Sequence, residues 1–435
     1  MHSFPHEIVG APGIGLLTLT RGEGVYVWDV EGKRYFDAYS GLSVVGVGHG
    51  RTEIAEAAAA QMKQLAFVSP VGCTTPVTVE LASKLASIAP GDLNRVFFSN
   101  SGSEAVEMAL AIAKQYHYNR GERDRKKVIC RIGSYHGQTA GAETVTRHSI
   151  RPPREPLGIG AIPVQGVDCY LCPYEKTYPD CNVYCARSIE AYIHAEHPEM
   201  IAAIIAEPIS TANGGYVPPV EYWQTLRKLC DRFGILLIAD EVLNGLGRTG
   251  KWFGIEHFGV VPDIIATSKH LTCGYAPISA TIVRDKVYDA FTKGIDSLFA
   301  VGSTFGGHPV SCAAALANLA IIEREGLVEN AARMGEYLMA KLKPLVETNP
   351  IVGDVRGIGL MTSIQFVKDK RTRTPFTFAE ARMLGVRIHG ILRQMGILVP
   401  HSFGALALHP PLCVTREQID EMVAGVETAL RMVAG

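Results

Sequence analysis

The sequence predicts an α/β protein: a large domain with a mostly parallel central sheet flanked by helices, plus a smaller α+β domain built from both termini. Three observations predict it. From about residue 50 onward, helical patterns alternate with short, continuous apolar runs, as expected of strands buried on both faces and joined by crossover helices. The 435-residue chain is 47% hydrophobic and 20% charged, a globular composition with room for roughly two to three domains. No repeat, low-complexity tract or flexible linker interrupts it, so the domains should interleave. The expected division is 1–49 and 321–435 for the smaller domain and 50–320 for the larger.

The elements follow in order. Leu17 to Phe36 reads as short strands, around Val25, Val27 and Trp28 and then Arg34, Tyr35 and Phe36, separated by Gly and charged turns. The buried runs begin at Arg95, Lys127, Ile201, Gly234, Asp263 and Ile278. After Ile321 helices dominate. The last one should open at a capping box, Thr415-x-x-Gln418, and bury Ile419, Met422, Val423, Val426 and Leu430 on one face.

Charge excludes some partners. Lys+Arg number 42 and Asp+Glu 43, a formal net charge of −1 that offers no attraction for nucleic acid or an acidic membrane surface. No apolar run reaches transmembrane length. The first residues, MHSFPHEIVGAPGIGLL, lack the basic and apolar regions of a secretory signal. The ten cysteines are scattered, which suits a reducing cytoplasm better than a disulfide scaffold.

Ligands of an open parallel sheet bind at the carboxyl ends of its strands. Glu207, Asp240 and Lys269 each follow one of the apolar runs. Any one of them alone reads as the point where a strand reaches solvent; three at one edge beside glycine-rich loops suggest a site. Ser99-Asn-Ser-Gly-Ser-Glu104 lies between a strand and a helix, and Ser101-x-x-Glu104 fits a capping box. With Gly102 and Ser103 at that helix start, free N–H groups and the dipole favour a phosphate. A phosphate site, a carboxylate and a lysine together are what pyridoxal phosphate needs: the lysine for a Schiff base, the acid to keep the pyridine nitrogen protonated.

At this point the chain resembles the class III pyridoxal-phosphate-dependent aminotransferases of fold type I. The matching stretches are NSGSEAVEMAL (100–110), GSYHG (133–137), AEPI (206–209), ADEVLNGLGRTGKWFG (239–254), PDIIATSKHLTCGYAPISA (262–280), GSTFGGHPVSCAAALA (302–317), VRGIGLM (355–361) and PPL (410–412). They run in the family's order over almost the whole chain. The resemblance implies that Lys269 is the Schiff-base lysine and proton shuttle and that Asp240 pairs with the pyridinium nitrogen. It also implies that Gly102 and Ser103 bind the phosphate, that Tyr135 and Val242 cover the two ring faces, and that Glu207 supports the cofactor from behind. Thr304 would reach the phosphate of the neighbouring subunit, which makes the active unit a homodimer, with a tetramer left open.

The chain also departs from the family. Members that use 2-oxoglutarate carry Gln where this chain has Leu243, and a Glu/Arg switch where it has Ala212 and Ala407. The amine:pyruvate members tend to carry an arginine near Pro400, where His401 follows instead. A histidine, such as His401 or His409, or another arginine must then hold a substrate carboxylate. His270 replaces the glycine usual after the lysine; its imidazole could sit beside the Schiff base as an acid/base group, and the reading preferred is that it points inward and satisfies a backbone group. Ser43 stands where the amine:pyruvate subgroup has a pocket tryptophan, which predicts a roomier or more polar substrate pocket. These departures point to an ω-transaminase that moves an amino group from an amine or ω-amino acid donor to a 2-oxo acid, pyruvate above all. The alternatives are a racemase, epimerase or decarboxylating relative on the same fold, and a non-enzymatic member that keeps only the fold. Cys169-x2-Cys172-x8-Cys181-x3-Cys185 looks like a zinc site at first sight, but the spacing is not a common one. The reading adopted is a compact loop with its cysteines packed as small apolar groups, and no metal.

Overall fold

The computed structural model describes residues 15–147, 158, 160–212, 214–400 and 404–434. Within them a seven-stranded sheet forms the centre, built from β4 (Leu93–Ser99), β5 (Lys127–Arg131), β6 (Ala161–Val164), β7 (Ile201–Ala206), β8 (Leu236–Asp240), β9 (Ile264–Thr267) and β10 (Ser279–Arg284). Its order is β4-β10-β9-β8-β7-β5-β6. Only β10 runs against the rest, antiparallel to both β4 and β9. The fold is therefore α/β with a mostly parallel sheet, and the apolar runs mark its strands. Every residue of β7, β8 and β9 is buried, which explains why these segments lack polar alternation.

Two smaller sheets lie outside this layer. β1 (Leu19–Glu23), β2 (Tyr26–Asp29) and β3 (Arg34–Asp37) form an antiparallel meander. Its far edge pairs in parallel with a two-residue strand from the other end of the chain, β13 (Ile397–Leu398). β11 (Val352–Ile358), β12 (Met361–Phe366) and β14 (Ala405–Leu408) make a third, antiparallel sheet. The closing helix, Arg416–Ala434, buries Ile419, Met422, Val423, Val426 and Leu430. Its capping box is formed on both arms: the Thr415 N–H donates to Gln418 Oε1 and the Gln418 N–H to Thr415 Oγ1. No helix among the described residues is long and apolar enough to cross a membrane.

For the site, the parallel register matters most. Ala206 pairs with Ala239, and Asp240 with Ala266. Glu207, Asp240 and the Ser268-Lys269 step thus leave three adjacent strands at one edge. The loop after β5 and the helix after β4 arrive at the same edge, because those strands run the same way.

Candidate active site

The helix Gly102–Asn119 begins three residues after β4, so its N-terminus faces the carboxyl edge of the sheet. Ser101 caps it: the Glu104 N–H donates to Ser101 Oγ at 3.2 Å. The second arm of the expected box is different. Glu104 Oε2 accepts from the backbone N–H and the side-chain amide of Asn100, at 2.8 and 2.9 Å, and so pins the approach to the helix instead of Ser101. The first-turn N–H groups of Gly102 and Ser103 have no intrahelical acceptor. A Cβ on Gly102 would come within 2.7 Å of Val242 Cγ1, so glycine is required for Val242 to lie against the helix start. Gly137, at φ +133°, brings its backbone so close to Ser103 that a Cβ would fall 2.5 Å from Ser103 Oγ. Ser103 Oγ also accepts from the Gln138 N–H at 3.1 Å. Gly102 and Ser103 are thereby fixed in one small concavity.

Asp240 ends β8 almost fully buried, 3% exposed. His136 Nδ1–H donates to its Oδ2 at 2.7 Å, and the Val242 N–H to its Oδ1 at 3.1 Å. The other ring nitrogen of His136, Nε2, is buried without a partner. Glu207 pairs with Arg131 Nη2 through Oε2 at 2.8 Å and accepts the Tyr135 N–H through Oε1 at 3.1 Å. Burial works against the Glu207 carboxylate, but His136, Arg131 and the Tyr135 N–H outweigh it and hold its pKa below the usual range. Glu207 thus fixes the backbone of the loop that carries Tyr135, whose ring is 45% exposed.

Lys269 follows β9 in a short 3₁₀ turn, Lys269–Leu271, with a left-handed φ of +36° that is unusual for a side-chain-bearing residue. Its amine forms no hydrogen bond or ion pair with any described residue. Burial pushes its pKa down to about 8; Asp240 opposes the shift and Arg248 adds to it. The amine is therefore a nucleophile near neutrality.

The remaining expected residues are placed unevenly. Thr304 lies exposed in a turn ahead of the helix Pro309–Arg324. Ser43 does not open on a cleft within the chain: it is 0% exposed and hydrogen-bonds His409 Nδ1 at 2.7 Å. The expectation of a pocket-widening serine is corrected accordingly, because the hydroxyl is used by a buried histidine that stacks on Tyr39. His401 lies outside the described residues. His270 is buried; its Nε2 accepts from Arg248 Nη2 at 3.1 Å, and the Gly245 backbone also acts on the ring, so it meets a guanidinium as well as a backbone group. The four cysteines of the 169–185 loop, all free thiols, line one cavity of about 20 Å³ with Tyr174, Tyr178 and Tyr184. Among the described residues no group of three or more His, Cys, Asp or Glu side chains is placed to hold a metal ion.

Three participants escaped the sequence reading: His136, Arg131 and Arg248. For His136 a signal existed, since it follows Tyr135 on a loop leaving the same sheet edge as Asp240. Arg131 and Arg248 read as ordinary charged residues at a strand end and in a glycine-rich loop.

The donor set fits pyridoxal phosphate: a helix start with unpaired N–H groups for the phosphate, a buried carboxylate for the ring nitrogen and an unpartnered amine for the aldehyde. Residues 10–430 match the model of the aminotransferase class-III family, and the chain belongs to that family of pyridoxal-phosphate-dependent enzymes. It is 40% identical to a taurine–pyruvate aminotransferase of Bilophila wadsworthia, over 95% of this chain and 92% of that one. Among solved structures it is similar to an (S)-enantioselective omega-transaminase from Thermomicrobium roseum, with a TM-score of 0.90 and 40% identity over 97% of this chain and 93% of that one. An amine transaminase from an uncultivated Pseudomonas species, solved in its PLP-bound form, superposes with a TM-score of 0.94 at 38% identity, over 100% of this chain and 97% of that one.

Proposed function

We propose that this aminotransferase takes its amino group from an amine or ω-amino acid and delivers it to pyruvate. The observation that carries the acceptor is the absence of charge where 2-oxoglutarate users control a second carboxylate. Ala407 on β14 and Ala212 occupy those positions, and Leu243 stands where those enzymes carry the Gln that the resemblance assigns to the ring hydroxyl. A dicarboxylate would leave its distal group without a cation there, and an unpaired buried carboxylate costs several kcal/mol. The resemblance to a taurine–pyruvate aminotransferase and to amine transaminases supports the same reading.

Bound pyridoxal phosphate supplies a protonated ring that accepts the electron pair released at the substrate carbon. In this reading the protein does the rest. The start of the helix at Gly102 and Ser103 binds the phosphate. Asp240, oriented by His136, keeps the ring nitrogen protonated. Tyr135 and Val242 hold the ring between them, and Glu207 fixes the loop of Tyr135. Lys269 would hold the aldehyde carbon until the donor amine takes its place, and its freed Nζ would then accept the proton lost by the substrate's amine-bearing carbon.

We further propose a homodimer in which Thr304 reaches the neighbouring subunit's cofactor phosphate. Thr304 adjoins exposed Val301 and Phe305, and Phe305 packs edge-on against Phe67, which is also exposed. An apolar patch of this kind suits a subunit contact. The proposed domain division is 50–320 against the two flanking segments, and the free state of all ten cysteines supports a cytoplasmic location.

The test is acceptor-dependent kinetics with one fixed amine. Pyruvate should exceed 2-oxoglutarate by at least about tenfold in kcat/KM, roughly 1.4 kcal/mol of transition-state binding. Equal or better turnover with 2-oxoglutarate overturns the pyruvate assignment.

A further inference from the structure

Beneath Lys269 lies a buried cation with no anion. Arg248 is 0% exposed, and no described carboxylate pairs with it. Its Nη1 donates to the carbonyls of Leu360 and Pro410 at 2.9 and 2.6 Å. Its Nη2 donates to Ser40 Oγ at 3.2 Å and to His270 Nε2 at 3.1 Å. Four neutral acceptors take up Nη1 and Nη2, Nε is buried without a partner, and no carboxylate is in contact with the charge, Asp37 acting on it only from a distance.

His270 connects this cation to the lysine. As an acceptor at Nε2 facing a guanidinium, the ring is neutral with its proton on Nδ1. Its carbonyl accepts from the Asn318 amide at 2.7 Å, and a Cβ on Gly46 would come within 3.3 Å of the ring. Both the ring and the backbone of His270 are thereby fixed, directly beside the left-handed backbone of Lys269.

We propose that Arg248 is a positioning residue for Lys269: it clamps the lysine's turn through His270, and its charge, in contact with no carboxylate, disfavours a second positive charge on the neighbouring amine. The inference rests on the reading of Lys269 as the cofactor-binding amine. The groups around that amine divide into one that opposes Arg248 and several that do not. Asp240, at the end of β8, favours the charged amine. His270, on the lysine's own turn, and His409, ahead of Pro410, are held well below the usual histidine range by burial and by the charges of Arg248 and Lys269, so both rings stay neutral. Tyr39, stacked on His409, is pushed upward by burial and stays neutral as well. Asp240 is thus the carboxylate that favours the charged amine, while Asp37 acts on Arg248 itself without pairing with it.

The test titrates Lys269 in the cofactor-free protein, by trace acetylation across a pH series with the Lys269 peptide quantified by mass spectrometry. Wild type should reach half-maximal reactivity near pH 8. Arg248→Gln, which keeps donors but removes the charge, should move that midpoint up by about one pH unit, a tenfold change in protonation. Arg248→Lys, which keeps the charge, should leave it near the wild-type value. An unmoved midpoint in Arg248→Gln overturns the proposal, and so does an equal shift in both variants. Should neither variant fold, the wild-type titration still decides: a midpoint near 10 overturns the proposal. Borohydride reduction of the holoenzyme separates the two readings. Cofactor trapped on another lysine sinks the assignment of Lys269 itself, whereas trapping on Lys269 with an unmoved midpoint sinks only the role of Arg248.

Discussion

His136 Nδ1 and Asp240 Oδ2 lie 2.7 Å apart, although they leave strands that are not neighbours: β7 stands between β5 and β8. Both side chains are almost fully buried. The contact orients the carboxylate, whose other oxygen accepts from the Val242 N–H. Asp240→Asn should reduce the rate of the half-reaction with amine by several orders of magnitude, because the carboxylate's charge keeps the ring able to accept electrons. Stopped-flow absorbance of the holoenzyme measures it; a loss below about tenfold, roughly 1.4 kcal/mol of barrier, contradicts the role.

Lys269→Ala should abolish turnover and leave the fold intact, since the amine has no hydrogen-bond or ion-pair partner to lose among the described residues and alanine keeps the Cβ that this left-handed turn already accommodates. Circular dichroism and thermal melting should match wild type while activity is lost. Wild-type turnover in the purified variant contradicts the assignment.

Gly102→Ala should weaken cofactor binding by about tenfold, or roughly 1.4 kcal/mol. The new methyl would fall 2.7 Å from Val242 Cγ1 and push apart the residues that hold the phosphate and the ring. Adding Val242→Ala removes the clashing methyl and should recover part of the affinity. Equilibrium titration of apoprotein with pyridoxal phosphate reads both; a double variant no better than the single one rejects the contact as the cause.

The buried Glu207–Arg131 pair makes a pH-dependent contribution. The Glu207 pKa is lowered in the folded state, so its stabilisation is complete above the unfolded carboxylate range, about 4.5, and is lost as pH falls through the folded value. Glu207→Gln should destabilise the protein at neutral pH by about 3–5 kcal/mol, because Arg131 is left buried without its anion. The variant's stability should also fall less steeply below pH 4.5 than that of wild type. Urea unfolding at several pH values tests this, and parallel curves for the two proteins exclude it.

Much of the site was legible before the fold. Lys269, Asp240 and Glu207 follow apolar runs, and runs of that kind become parallel strands whose ends share an edge. Gly102 and Ser103 were legible for a similar reason, since a strand followed by a capped helix places N–H groups at that edge. Ser43 misled because a motif position says which residue type stands there and not which way it points. Its hydroxyl is taken by His409, a residue 366 positions away. The split of the Ser101–Glu104 box was equally hidden, since a glutamate three residues after the cap can reach either of two adjacent N–H groups.

By itself the sequence determined the element types, the parallel sheet and the family, because hydrophobic periodicity and glycine placement are local properties that survive any packing. The tertiary structure alone decided who meets whom. His136 and Asp240 are 104 residues apart, and Arg248 and His270 are 22 apart. Both pairings depend on strand order and on how loops fold over the sheet edge. Burial then converts those meetings into chemistry: the same low-dielectric surroundings that strengthen the pairing of Glu207 with Arg131 disfavour the charged form of Lys269 more than Asp240 favours it.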